Sequence, residues 1–170
     1  MYFIIVLLPL LPQLLPVLGD GGADGDGGAD GDGGCDIGGC CPEFWEPAHS
    51  VGLGCLFFYG RAKFSWDQAQ QFCSTQENAT LVEIMTEDQV AFLEIYLELF
   101  SDELPYLNTW WTGATDVGGD WEWVTSKEPV PGFVWEDGHP GAGGDCMVLG
   151  IQGGLDIQCE GQYYPLCQKQ

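Results

Sequence analysis

Positive charge is scarce in this chain: four Lys and Arg residues stand against 26 Asp and Glu, a formal charge of -22 over 170 residues. Phosphate-rich partners would be repelled, which excludes nucleic acid and an anionic membrane surface. Histidine is scarce too, with only His49 and His139, and no pair of CxxC knuckles occurs, so a structural zinc site lacks ligands. Neither histidine is accompanied by a serine or cysteine nucleophile pattern, and no catalytic triad or enzyme activity is expected. A long unbroken apolar run is also missing. The opening MYFIIVLLPLLPQLLPVLGD is interrupted by Pro9, Pro12 and Pro16, which argues against a membrane-spanning helix. Residues 1–19 instead read as a secretory signal cut after Gly19, although the usual leading Lys or Arg is missing. A secreted, extracellular protein is expected, open to divalent cations and to partners of positive charge.

What is present fits export. Eight cysteines in a small chain suggest disulfides. After the signal, GGADGD repeats within residues 20–36. Glycine and like-charged aspartate cannot bury apolar area to offset the ordering entropy, so residues 20–40 form a disordered tether. A calcium-binding parallel β-helix would need an apolar residue in each turn, and none is there.

From Cys41 the composition turns aromatic and aliphatic. In SWDQAQQFC, Ser65 and Gln68 form a capping box ahead of a helix whose Trp66, Ala69, Phe72 and Cys73 share a face. TEDQVAFLEIYLELF repeats the device with Thr86 and Gln89. Its apolar stripe is Val90, Leu93 and Leu97, widened by Phe92, Ile95, Tyr96 and Leu99, and Pro105 marks its exit. LVEI between the helices reads as a short strand. Beyond Trp110 follow WWTGA, DWEWV, CMVLGI, LDIQC and YYPLC, short strands separated by glycine-rich turns. Two helices followed by strands and long loops make an α+β domain over residues 41–170. Asn78-Ala79-Thr80 is a glycosylation sequon in the turn after the first helix.

The order of these segments resembles the C-type lectin-like domain family over Cys41 to Gln168. CPEFW with CLFFY resembles the additional N-terminal hairpin of the long form, WTGA the family's Trp-Ile-Gly-Leu core strand, and DWEWV its Trp-x-Trp strand. The resemblance implies two helices, short antiparallel sheets and a long irregular loop. It also implies the disulfides Cys41–Cys55, Cys73–Cys167 and Cys146–Cys159. Cys35 and Cys40 are left over, to bridge each other locally or to link two chains into a dimer.

The same resemblance locates a ligand site in WEDGHPGAGGDC, residues 135–146. Sugar-binding members carry Glu-Pro-Asn or Gln-Pro-Asp in this loop and Trp-Asn-Asp before the next framework cysteine. Those oxygens hold calcium while contacting two sugar hydroxyls. Here the triplets are His139-Pro140-Gly141 and Gly154-Leu155-Asp156, and Gly144 stands where a carboxylate is usual. Imidazole is a poor ligand for a hard cation, and one of five expected side-chain ligands, Asp156, survives. Calcium-dependent sugar binding is therefore not expected, and the cis bond that calcium-loaded relatives have before the proline is expected to be lost.

The candidate ligand-binding residues are His139, Pro140, Gly141, Asp145, Leu155 and Asp156, together with Trp123, whose ring would stack on a sugar if exposed. The candidate metal ligands are Asp116, Asp145 and Asp156. A structural calcium near Asp116 and Asp145 competes with the reading of these acids as solvated loop charges, and no cofactor is required. Recognition of glycans or microbial surfaces, as in invertebrate innate defence, is what the resemblance implies. The competing reading is a calcium-independent protein-binding or mineral-binding domain, its acidic tether condensing divalent cations.

Overall fold

A computed structural model describes residues 41–103 and 109–170, with side chains described outside residues 100–103. The expected signal, the tether, Cys35, Cys40 and Pro105 lie outside the described residues. Besides two 3-10 turns, the described residues form eight strands and two α-helices: β1 (Glu46–Ala48), β2 (Gly54–Phe58), α1 (Trp66–Thr75), β3 (Thr80–Leu81), α2 (Glu87–Glu103), β4 (Trp110–Val117), β5 (Asp120–Trp123), β6 (Cys146–Gly150), β7 (Gly153–Ile157) and β8 (Tyr164–Lys169). No described helix is long and apolar enough to cross a membrane.

Both helices begin where their capping residues stand. At α1 the box is complete: the Gln68 amide nitrogen donates to Ser65 Oγ at 3.4 Å, and Ser65 N donates to Gln68 Oε1 at 3.1 Å. At α2 only half of it forms, with Gln89 N donating to Thr86 Oγ1. The Gln89 side chain is drawn elsewhere. It accepts from Met85 N at 2.7 Å and donates to Val51 O at 3.0 Å, tying the helix start to the segment after β1. The α2 stripe is narrower than expected: Leu93 and Leu97 are buried, whereas Ile95 and Leu99 are mostly exposed.

The strand order is β1-β2-β8-β4-β6-β7, with β3 added on β8 and β5 on β4. The expectation of antiparallel pairing holds for every pair except one, because β4 and β8 run parallel at Trp110↔Tyr164 and Trp111↔Pro165. LVEI is regular strand only at its first residue. Beyond it, Val82 N donates to Leu166 O and Val82 O accepts from Gly113 N, so the segment bridges β8 and β4.

Alternation along the central strands divides the core in two. Trp110, Ala114, Met147, Leu149 and Leu166 join Leu53, Leu56, Leu93 and Leu97 in one cluster. Trp111, Val148, Cys146 and Cys167 join Trp66, Ala69, Cys73 and Leu81 in the other. The buried indoles of Trp66 and Trp111 donate to Thr112 O and Phe64 O, which locks α1 and the segment before it to β4.

The three disulfides implied by the resemblance are present: Cys41–Cys55, Cys73–Cys167 and Cys146–Cys159. Cys73 and Cys167 are 94 residues apart, so their bond removes about 4–5 kcal/mol of unfolded-state entropy in the chain-entropy model.

Trp123 requires a correction. It is fully buried in the first cluster, not available for stacking on a ligand. The register Ala114↔Trp123 turns it inward, while Trp121 pairs with Asp116 and stays half-buried against Trp135. Trp123→Ala should therefore lower stability by about 3–5 kcal/mol, read as a shift of the urea midpoint; a change under 1 kcal/mol contradicts the core assignment.

Candidate functional site

The loop from Trp135 to Cys146 is held at both ends. Trp135 forms a bridge with Gly154, and Glu136 N donates to Gly154 O, so the loop starts along β7. It ends at Cys146, whose disulfide to Cys159 joins the start of β6 to the residues after β7. Between these anchors the chain turns back over β7, and His139 N donates to Glu136 O at 2.9 Å.

The clasp in the middle is Asp156. Its position on β7 pairs with Met147 and directs the carboxylate under the loop, where the side chain is fully buried. One oxygen takes His139 Nδ1 at 2.5 Å and Gly141 N at 2.9 Å; the other takes Gly143 N at 2.6 Å. An ionised carboxylate only accepts, so Nδ1 is the protonated nitrogen of the imidazole. Gln158 adds an outer stitch, its Nε2 donating to Gly143 O at 2.7 Å. Burial pushes the Asp156 carboxyl upward, but the hydrogen bonds from His139, Gly141 and Gly143 outweigh it and hold the acid below its ordinary range.

Three N–H donors thus occupy most of the roughly four acceptor positions of this carboxylate. Asp156, the candidate metal and ligand residue, is placed here as a buried clasp of the loop. Gly144, the position of a usual carboxylate, has no room for any side chain: a Cβ there would lie less than 3.0 Å from the backbone of Ile157 and Gln158. Gly143 is equally tight, with the Asp156 backbone below it. The His139–Pro140 bond is cis, against the expectation that it is lost without an ion.

Asp116 and Asp145 do come together, but through the backbone. Asp116 N and Thr115 Oγ1 both donate to Asp145 O, and the Asp116 carboxylate accepts from Gly119 N at 2.6 Å to close the β4–β5 turn. Oxygens sharing one calcium lie within about 5 Å of each other. Among the described residues the one such group of three or more His, Cys, Asp or Glu atoms is Cys41, His49 and Cys55. Its two sulfurs form a disulfide, on which His49 Nε2 rests at 3.5 and 3.6 Å. The side chains of Asp116, Asp145 and Asp156 thus do not converge on one point.

At the loop surface, Pro140, Gly141 and Asp145 are exposed, while His139 and Leu155 are half-buried. Sequence reasoning missed Gly143 and Gln158. The sole signal for Gly143 was the run GAGG, which marks close approach without naming the partner. Asn78 is exposed in the turn after α1, with φ of 56°.

A model of the lectin C-type domain matches residues 62–169. The chain belongs to the C-type lectin domain family. Rat asialoglycoprotein receptor 2 is 28% identical over 119 residues, 65% of this chain and 35% of the receptor, so the chain spans about a third of that relative's length. Among solved structures, an SPL-1–GlcNAc complex superposes with a TM-score of 0.66 at 19% identity, covering 78% of this chain and 97% of that one. A calcium-independent type II antifreeze protein superposes at 0.59 and 20% identity, covering 76% and 94%. Domains of this family are generally binding modules, and calcium-independent members exist among them.

Two outcomes test the clasp of this C-type lectin domain. Asp156→Asn should cost roughly 1–3 kcal/mol by leaving buried N–H groups poorly paired. Because the folded acid is more acidic than the unfolded one, its stabilisation is complete above the unfolded value near 3.8 and is lost as pH falls further. Urea midpoints of parent and variant should stay apart at neutral pH and converge only below about pH 4; a constant gap down to pH 2 contradicts the assignment. Second, Gly144→Ala should lower stability by about 1–3 kcal/mol through backbone overpacking, whereas an unchanged melting temperature would show that the loop does not lie against β7.

Proposed function

We propose that this C-type lectin domain is a secreted, non-enzymatic protein that recognises glycans, microbial surface glycans among them, without calcium in the long loop. The observation that carries the reading is the Asp156 carboxylate, buried and accepting three N–H bonds where an ion-binding member would expose oxygens. Loop shape is then fixed by the protein itself. Recognition falls to what the loop presents: the exposed Pro140, Gly141 and Asp145, the edge of His139 and the half-buried Leu155. The GlcNAc bound in the SPL-1 complex supports a saccharide as ligand class, and the calcium-independent antifreeze protein supports a fold that stands without the ion.

The apolar leader of residues 1–19 supports export, and the three disulfides among the described residues accord with it. Asn78, exposed in its sequon, is then available for glycosylation. No cofactor is needed in this account.

A glycan array probed with the chain in calcium and again in chelator tests the reading. Equal binding to the same glycans in both conditions is expected. Binding that vanishes in chelator overturns the calcium-independent site, and no binding in either condition overturns the lectin activity and favours a protein or mineral partner.

A further inference from the structure

The Asp156 clasp also sets what the His139 ring offers outward. That ring gives its Nδ1–H to the fully buried Asp156 carboxylate at 2.5 Å. In a neutral imidazole one nitrogen donates and the other accepts, and the partner of the first decides which is which. Nε2 is therefore the acceptor. It stands across the five-membered ring from Nδ1, so with the carboxylate beneath the loop its lone pair looks away from β7, on a side chain that is 31% exposed. No hydrogen bond reaches Nε2 among the described residues. The backbone fixes this setting on both sides of the residue. His139 N closes a turn on Glu136 O at 2.9 Å through Gly138 at φ of 92°, and Gly141 N shares the Asp156 oxygen that takes Nδ1.

Charge around the ring narrows the ligand. Half-buried Glu136 and exposed Asp137 belong to the same turn as His139, exposed Asp145 closes the loop, and Asp156 of β7 lies beneath. No Lys or Arg occurs from Glu128 to Gln168, and the whole chain carries -22. A carboxylate or sulfate brought to Nε2 would meet a lone pair in a field of its own sign. A hydroxyl pairs equally well with an acceptor or a donor, so the tautomer gives it no advantage. A protonated amine has donors alone. Its N–H matches the lone pair in a charge-assisted bond, and its charge is drawn by the neighbouring acids.

We propose that the long loop takes an amino sugar, a saccharide ring bearing a free protonated amine that donates to His139 Nε2. His139 is then the specificity-determining contact, and Asp156 is a positioning residue that keeps the lone pair turned outward. The assignment names the ligand class of the long loop and rests on glycan recognition by that loop.

The test is titration of the full chain at neutral pH with three trisaccharides alike except at C2 of the terminal ring, which bears a free amine, an acetamide or a hydroxyl. A tripeptide ending in lysine is the fourth probe. The amine form should bind about ten-fold more tightly than the other two saccharides, by a margin that salt reduces. Nitrogen NMR of the imidazole should show His139 protonated at Nδ1 and bare at Nε2, and the Nε2 resonance should move when the amine form is added. His139→Phe keeps a flat ring without the lone pair and should bring the three saccharides to equal affinity, with urea unfolding to check that the variant is folded. Equal affinity of the parent for the amine and hydroxyl forms, tighter binding of the acetamide or the lysine peptide, or an Nε2 resonance that stays in place would each overturn the amine assignment. A parent that binds all three saccharides alike keeps its glycan recognition and loses only the amine, whereas failure to bind any glycan overturns both.

Discussion

One buried carboxylate organises the loop of this domain. Asp156 lies with no solvent contact on β7, and an ionised group in that position is tolerable only when its oxygens are fully hydrogen-bonded. His139, Gly141 and Gly143 supply the donors, so the same bonds that make the burial tolerable also fold residues 139–143 down onto the strand. In the family resemblance, an aspartate at this position faces a cation. Here two backbone amides and one imidazole donate to the carboxylate, and the loop lies down over the strand.

The surroundings make that closure possible. Gly143 and Gly144 approach β7 so closely that no side chain fits, and the Cys146–Cys159 bond keeps the strands beneath from separating. Trp135, at the loop's start, packs edge-on against Trp121 at 4.6 Å, which braces the other side. In a protein with 26 Asp and Glu residues, the one buried acid among the described residues is thus tied to backbone amides and an imidazole. The wide Cys73–Cys167 bond and the alternating faces of β4, β6 and β8 give this arrangement a rigid base.

Much of the fold was legible because its signals are local. Ser65 and Thr86 start helices within a residue of where capping chemistry puts them, and the strands after Trp110 follow their alternating runs. The disulfide partners came through the resemblance, since spacing alone cannot choose among pairings. What stayed hidden is what depends on distant backbone. Alternation tells that Trp121 and Trp123 point the same way along β5's pleat, yet their burial differs, because Trp123 lies over the core and Trp121 at its edge. The capping partner Gln89 was diverted by Val51, 38 residues away. The inward turn of Asp156 was equally unreadable: its partners are mostly amide N–H groups, which every residue but proline carries, and Gly144 looked like a lost ligand when it is a point of contact.

The most direct measurement is unfolding in urea with millimolar calcium and with chelator, on the full chain. An ion that binds only the folded state raises stability in proportion to the logarithm of its concentration. The clasp account predicts coincident curves at neutral pH. A midpoint that climbs with calcium would show an ion gripping the folded domain, and the account of Asp156 as a self-sufficient clasp would be contradicted.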